Sequence, residues 1–260
     1  MKAIDHSICR CCKGNAKKIF IGNLIGHKVT YFECLDCGYV QTEAPFWLEE
    51  AYLNAINKSD TGIMMRNQKN AQIVNLTMLI LGSKDGEVVD CAGGYGILVR
   101  MLRDSGIKAF WSDKYCQNLL ANGFEHKGEE AQLVTAFEAF EHFINPADEL
   151  DKLLSIAPNI LLSTQIIADP APNFNEWWYY GKNHGQHIGF FRTHTLKKLA
   201  ESRGKNLITD GKNYHLITDK GVNENFWRLI VRASKLSMLI THKSLTQADY
   251  SFLLKNEEVS

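Results

Sequence analysis

The sequence predicts an α/β protein: a mostly parallel sheet with helices on both faces, preceded by a small cysteine-bearing unit. Three observations predict it. From Glu87 onward, short apolar runs alternate with amphipathic stretches, as strands and helices do. The first run ends in an acid and a small-residue turn, Asp90-Cys-Ala-Gly-Gly-Tyr-Gly96, which leads into Ile97-Leu-Val-Arg-Met-Leu-Arg103. Ahead of both lie two C-x-x-C pairs, Cys9-Arg-Cys-Cys12 and Cys34-Leu-Asp-Cys37, separated by 21 residues.

The cysteine unit occupies residues 1–44. Each C-x-x-C sets two thiolates on one tight turn, with Gly14 or Gly38 close behind. Two such turns at the ends of a short hairpin complete the tetrahedral S₄ site that Zn²⁺ prefers. Ile19-Phe-Ile-Gly and Val29-Thr-Tyr-Phe-Glu supply the strands between them. The expected ligands are Cys9, Cys12, Cys34 and Cys37, with Cys11 as an alternative to Cys9. Such a closed site contributes folding energy, not chemistry.

Residues 45–82 read as a helical lead-in, one stretch from Pro45 to Ile56 and a second from Arg66 to Leu81. The main domain is expected over 83–220. Its first strand ends at Asp90, and the helix after the turn places Ile97, Met101 and Leu102 inward. Ala109-Phe-Trp-Ser-Asp113 and Gln132-Leu-Val-Thr-Ala136 are the next strands. Pro146–Ala157 is a helix behind Asn145 as cap. A strand over Asn159–Thr164, a helix over Thr193–Arg203 and a strand over Tyr214–Thr218 follow. The extension 221–260 begins with Asn223–Ile240, read either as strand then helix or as helix throughout.

Glycines in the turn let the backbone approach a ligand where a Cβ would clash, and the helix N-terminus offers unpaired N–H groups. The dinucleotide fingerprint G-x-G-x-x-G is not matched. In an open sheet, ligands sit beyond the carboxyl ends of the strands, so Gly93, Asp113 and the residues after Ala136 are expected to line one crevice. The stretch there, Phe137-Glu-Ala-Phe-Glu-His142, spaces Glu138, Glu141 and His142 at i, i+3, i+4. On a helical turn these share a face and suit a divalent cation; a solvated acidic helix start is the alternative.

Composition narrows the field. Apolar residues make up 45% and the formal net charge is zero, which argues against a large nucleic-acid surface. The longest apolar run, Ile160–Ala168, is too short and polar to span a bilayer, and no signal-peptide pattern opens the chain. An odd count of seven cysteines fits no disulfide framework. A reducing, cytoplasmic setting is expected.

An acid closing the strand, then small-x-Gly-x-Gly, resembles motif I of the class I S-adenosylmethionine (SAM) dependent methyltransferases. Ala92 stands where that family usually has its first glycine. The resemblance implies a Rossmann-like sheet. It also implies a SAM site built from Asp90, Ala92, Gly93, Gly94, Gly96, Asp113 and Phe137, with Asp113 holding the ribose hydroxyls. E-x-x-E-H at this place is similar to the metal-binding turn of the small-RNA 2′-O-methyltransferases and of the ubiquinone-biosynthesis O-methyltransferases. By that likeness Glu138, Glu141, His142 and His187 would hold Mg²⁺ or Mn²⁺, with Glu141, His142 and His187 acting on the acceptor. The paired knuckles, Asp60-Thr-Gly, Arg66-Asn and Trp177-Trp-Tyr-Tyr-Gly with Gly185-Gln-His-Ile resemble methyltransferases of glycan modification. Trp177, Trp178, Tyr179 and Tyr180 suit a sugar face or, alternatively, a buried lid. The expected activity is O-methylation of a sugar hydroxyl in a glycan or glycoconjugate. The alternatives are a nucleotide-linked sugar or other small molecule methylated with a histidine base, and an RNA 2′-hydroxyl.

Overall fold

Alternating burial along Asn15–Leu24 and His27–Cys34 sends Leu24, Val29 and Tyr31 to one side of an antiparallel hairpin, while a bulge between Lys18 and Phe20 turns Ala16, opposite Cys34, to the other. Ile25 and Gly26 close it as a two-residue loop, both with positive φ, so the turn matches the twist of the strands. In the computed structural model, which describes residues 5–53, 60–240 and 243–257, the chain divides into two compact units. Each unit gathers three segments of the chain.

The first unit comprises residues 1–57, 138–152 and 162–221. Its five-stranded antiparallel sheet runs in the order His6–Ile8, Asn15–Leu24, His27–Cys34, Val40–Thr42, Gly189–Phe190. The last strand comes from far along the chain, with Val40 opposite Phe190 and Gln41 opposite Gly189. The cysteine unit therefore does not end at residue 44, because its edge strand is completed by residues 189–190. One apolar cluster joins Leu24, Val29, Tyr31, Val40 and Trp47 to Ile167, Tyr179, Tyr180, Ile188 and Phe190. The hairpin Asn206–Thr209 and Tyr214–Thr218, whose first strand the sequence pattern did not reveal, belongs here.

The second unit comprises residues 58–137, 153–161 and 222–260. Glu87–Cys91 pairs in parallel with Lys108–Ser112 on one side and Leu133–Phe137 on the other. Val88, Val89, Ala109, Leu133 and Val134 are buried, as strands covered on both faces require. Helix Ile97–Asp104 packs against the strand Lys108–Ser112, and helix Ile63–Ile80 packs against that helix. The expected lead-in is thus divided: the short helix Leu48–Ala51 lies in the first unit and Ile63–Ile80 in the second. Residues 54–59, where the first stretch was expected to end, lie outside the described residues.

The inward face of Ile97–Asp104 is Leu98, Val99, Leu102 and Arg103, not Ile97 and Met101. Arg103 is the reason. Its buried guanidinium donates to Asp249 at 2.6 and 2.9 Å and to the Ala109 carbonyl at 3.1 Å, and lies 3.6 Å from the Phe124 ring centroid. The 221–260 extension is accordingly part of this unit. It forms the helix Glu224–Arg232 capped by Asn223, a 3₁₀ segment Ser234–Leu239, and the helix Thr246–Glu257. Among the described residues, no helix is long and apolar enough to cross a membrane.

Candidate functional site

Three constellations carry chemistry. The first is the glycine turn of the second unit. Asp90, near the end of its strand, is buried and accepts a 2.6 Å hydrogen bond from the Thr135 hydroxyl. Burial raises its carboxyl to about 7, Thr135 opposes that, and the nearby Asp113 adds to it. Ala92 has φ +60, the left-handed region that favours glycine, which explains why its position is usually glycine in the motif it resembles. At Gly93 a Cβ would lie 2.9 Å from the Trp111 ring and 3.1 Å from the Asp90 carbonyl, so the strand-to-helix turn admits no side chain there. Gly96 has φ +84 and precedes the helix.

Asp113 follows the strand Lys108–Ser112. Its Oδ2 accepts the Gly94 N–H at 2.9 Å, and its Oδ1 accepts the N–H groups of Tyr115 and Cys116 at 2.7 and 2.8 Å. The carboxylate thus ties the glycine turn to the loop after the next strand. Phe137 ends the third strand, half-buried. The residues expected to form a cofactor cradle therefore stand at the carboxyl ends of three adjacent parallel strands.

The second constellation is the cysteine cluster. Cys9, Cys12, Cys34 and Cys37 hold their sulfurs within 4.8 Å of one another. Cys9 to Cys37 is 3.7 Å and Cys12 to Cys34 is 3.5 Å, against about 3.8 Å along the edge of a tetrahedron with 2.3 Å metal–sulfur bonds. Each first cysteine accepts from its second: Cys12 N–H to Cys9 Sγ at 3.4 Å, and Cys37 N–H to Cys34 Sγ at 3.5 Å. Cys11 is buried beside them but is not one of the four.

The third lies in the first unit and brings together Glu141, His142 and His187, whose ligand atoms are within 4.8 Å of one another. Glu138 is not among them. Its backbone turns left-handed at φ +49, so the expected helical turn does not form from it and only Phe140–His142 makes a 3₁₀ turn. The Glu138 carboxylate instead accepts from the Ser163 hydroxyl at 2.7 Å.

Glu141 is fully buried. One carboxylate oxygen accepts a 2.5 Å hydrogen bond from the Tyr179 hydroxyl; the other is buried and makes no hydrogen bond among the described residues, with the Thr164 side chain nearby. Burial, then the charge of Glu138, raises its carboxyl to about 8, a state that a cation would reverse. The His187 Nδ1 donates to the Tyr179 carbonyl at 2.6 Å, since a carbonyl only accepts, and this leaves Nε2 with a bare lone pair. The Tyr52 hydroxyl lies 2.9 Å from His142 Nδ1. Burial first, then neighbouring imidazoles, pushes His142 down to about 3 and His187 well below its ordinary value, so both rings are neutral.

The sequence offers no cue to Tyr52 or Thr135, and it marks Tyr179 only as one of a sugar-stacking or lid cluster, not as the partner of Glu141 and His187. Tyr179 stood inside the aromatic run, whose other members gave no cue to separate it. Of that run, Tyr179 and Tyr180 are core, Trp177 packs against the core, and Trp178 is 73% exposed. His184 abuts His187, ring centroids 4.7 Å apart, but its Nδ1 accepts the Gln186 N–H.

Comparison with known proteins places the chain. Residues 65–209 match the model of a methyltransferase domain. The chain belongs to that family. No curated protein matches it. Among solved structures, the chain is similar to TnmH at 15% identity and TM-score 0.47, over 68% of this chain and 62% of that one. It is similar to magnesium protoporphyrin IX methyltransferase (ChlM) of Synechocystis PCC 6803 with bound SAH at 14% identity and TM-score 0.44, over 65% and 90%. The plantazolicin methyltransferase BpumL shows 12% identity and TM-score 0.44, over 67% and 93%. The chain spans about 62% of the length of TnmH.

Proposed function

We propose that this methyltransferase transfers the methyl group of SAM to a sugar hydroxyl with the help of a divalent cation held by Glu141, His142 and His187. The observation that carries the reading is the buried Glu141 carboxylate oxygen that makes no hydrogen bond among the described residues, in a group whose two imidazoles are neutral. A buried acceptor costs about 1–3 kcal/mol when unsatisfied, and neutral imidazole is the ligand form. When bound, such an ion would bind acceptor oxygens and lower the pKa of the attacking hydroxyl.

The chain's own residues would do the rest. Tyr179 holds Glu141 through its hydroxyl and His187 through its carbonyl, so one residue orients two ligands. Asp90, Ala92, Gly93, Gly94, Gly96, Asp113 and Phe137 are proposed to seat SAM, with Asp113 fixing the turn as well as facing the ribose. The sulfonium is already reactive, so positioning supplies much of the rate. With two imidazoles and a single carboxylate, the set suits Mn²⁺ better than Mg²⁺, which prefers oxygen and water. A pKa near 3 makes His142 a poor general base at neutral pH, which favours metal over a histidine base. The exposed ring of Trp178 offers a stacking face for a pyranose. The Cys₄ cluster is proposed to hold structural Zn²⁺.

The test is transfer from labelled SAM to a panel of glycans, with and without a mild chelator and with Mn²⁺ or Mg²⁺ restored. Chelation should abolish transfer, Mn²⁺ should restore more than Mg²⁺, and His187→Ala should lose turnover while calorimetry still shows SAM binding. Transfer that is indifferent to chelation refutes the metal role.

A further inference from the structure

Arg10 sits between Cys9 and Cys12, inside the first cysteine knuckle, and no carboxylate pairs with it among the described residues. Its backbone N–H donates to Gln41 Oε1 at 2.7 Å, and Gln41 Nε2 donates in turn to the Ile8 carbonyl at 2.9 Å. Those two bonds fix the backbone from which the side chain departs. The guanidinium then reaches across the sheet, and Nη2 donates to the Ile188 carbonyl at 2.6 Å. The same carbonyl takes the Thr42 N–H at 3.1 Å. On the other side of residue 188, its N–H donates to the Glu141 carbonyl at 2.8 Å. Ile188 is wholly buried and follows His187 directly.

Residue 188 is thus fixed from two directions. Its N–H ties it to the backbone of Glu141, and its carbonyl ties it to a cationic side chain whose origin is set by two cysteines. Charge-assisted bonds of this kind are the stronger ones, roughly twice a neutral pair. Four thiolates around one Zn²⁺ would leave a net negative knuckle beside Arg10, which keeps the guanidinium in place without a carboxylate.

We propose that Arg10 is a positioning residue that couples the cysteine knuckle to the Glu141–His142–His187 group by seating the His187–Ile188 segment. The inference rests on the metal reading given above for that group. The knuckle then does more than stabilise its own fold, because its geometry sets the distance between His187 and Glu141.

The experiment uses the full chain as Arg10→Met and Arg10→Lys, with three readouts. Co²⁺ exchanged into the knuckle reports its thiolate absorption band. Amide hydrogen exchange reports the Ile188 N–H, and Mn²⁺ titration reports the second site. Arg10→Met should keep the Co²⁺ band, speed exchange at Ile188 about ten- to a hundredfold, and weaken Mn²⁺ binding by a similar factor. Arg10→Lys, which keeps a cationic donor, should restore most of both. Unchanged exchange at Ile188 in Arg10→Met overturns the proposal, as does failure of Arg10→Lys to rescue while its Co²⁺ band is intact. If exchange responds as expected but the wild-type chain binds no Mn²⁺, the positioning role stands and the metal reading fails.

Discussion

Replacing Asp90 by Asn isolates the energetic burden of a buried acid in the glycine turn. The folded carboxyl is raised from 3.8 to about 7, chiefly by burial. That difference of roughly 3 pH units, at 1.36 kcal/mol each, amounts to at most about 4 kcal/mol. The sign follows from proton counts. Near pH 4 and below, Asp90 is protonated in both states. As pH rises, the unfolded chain loses the proton first while the folded protein keeps it up to about 7. The folded state therefore binds more protons, and stability falls across that window, then levels off. Asn keeps the size, and its Oδ1 can accept from the Thr135 hydroxyl, but it has no charge to bury. Its amide N–H adds an offset that does not depend on pH. Urea unfolding of wild-type and Asp90→Asn proteins without SAM, from pH 4 to pH 8, should show the stability difference moving in favour of the mutant by a few kcal/mol and flattening above pH 7. Curves that stay parallel across the range refute the argument.

Ala92→Gly should raise the melting temperature by about 2–4 °C, equivalent to about 1 kcal/mol, because it removes a left-handed non-glycine residue; calorimetric melting checks this. Asp249→Ala should cost about 3–5 kcal/mol in urea unfolding, since it leaves the Arg103 guanidinium buried beside Phe124 without its carboxylate. Cys34→Ser should lower bound zinc from about one equivalent per chain and speed amide exchange at Gly189 and Phe190, the strand that completes the knuckle sheet; elemental analysis and exchange by mass spectrometry check both.

The parts legible in the sequence were those whose signal is local. C-x-x-C spacing marks a knuckle because two thiolates on one turn need only four residues. The acid-and-glycine turn marks a strand-to-helix corner for the same reason. The helix face around Arg103 was misread because its partner, Asp249, stands 146 residues away. Nothing in an arginine's immediate neighbours announces that it will be buried. The i, i+3, i+4 spacing places Glu138 with Glu141 and His142 only on a helical backbone, and a single left-handed residue removes it from that face. Tyr179 was hidden for another reason. Four adjacent aromatics look alike in sequence, and only packing separates the buried hydroxyl at Glu141 from the ring left in water.

The strand Gly189–Phe190 bears on how this chain is made. During synthesis the knuckle cysteines emerge first, and the sulfurs of Cys9, Cys12, Cys34 and Cys37 have their whole ligand set before residue 40 is added. Val40–Thr42 then waits at the margin of the sheet until roughly 150 further residues have left the ribosome, its outward hydrogen-bonding groups open to any other extended chain. Assembly of the four-cysteine set is therefore an early, local event and closure of the sheet a late one, with a sequence separation that slows folding. A fragment cut at residue 44 keeps that open margin permanently. It should associate through the bare strand, whereas the chain carrying residues 189–190 protects that strand with its own residues.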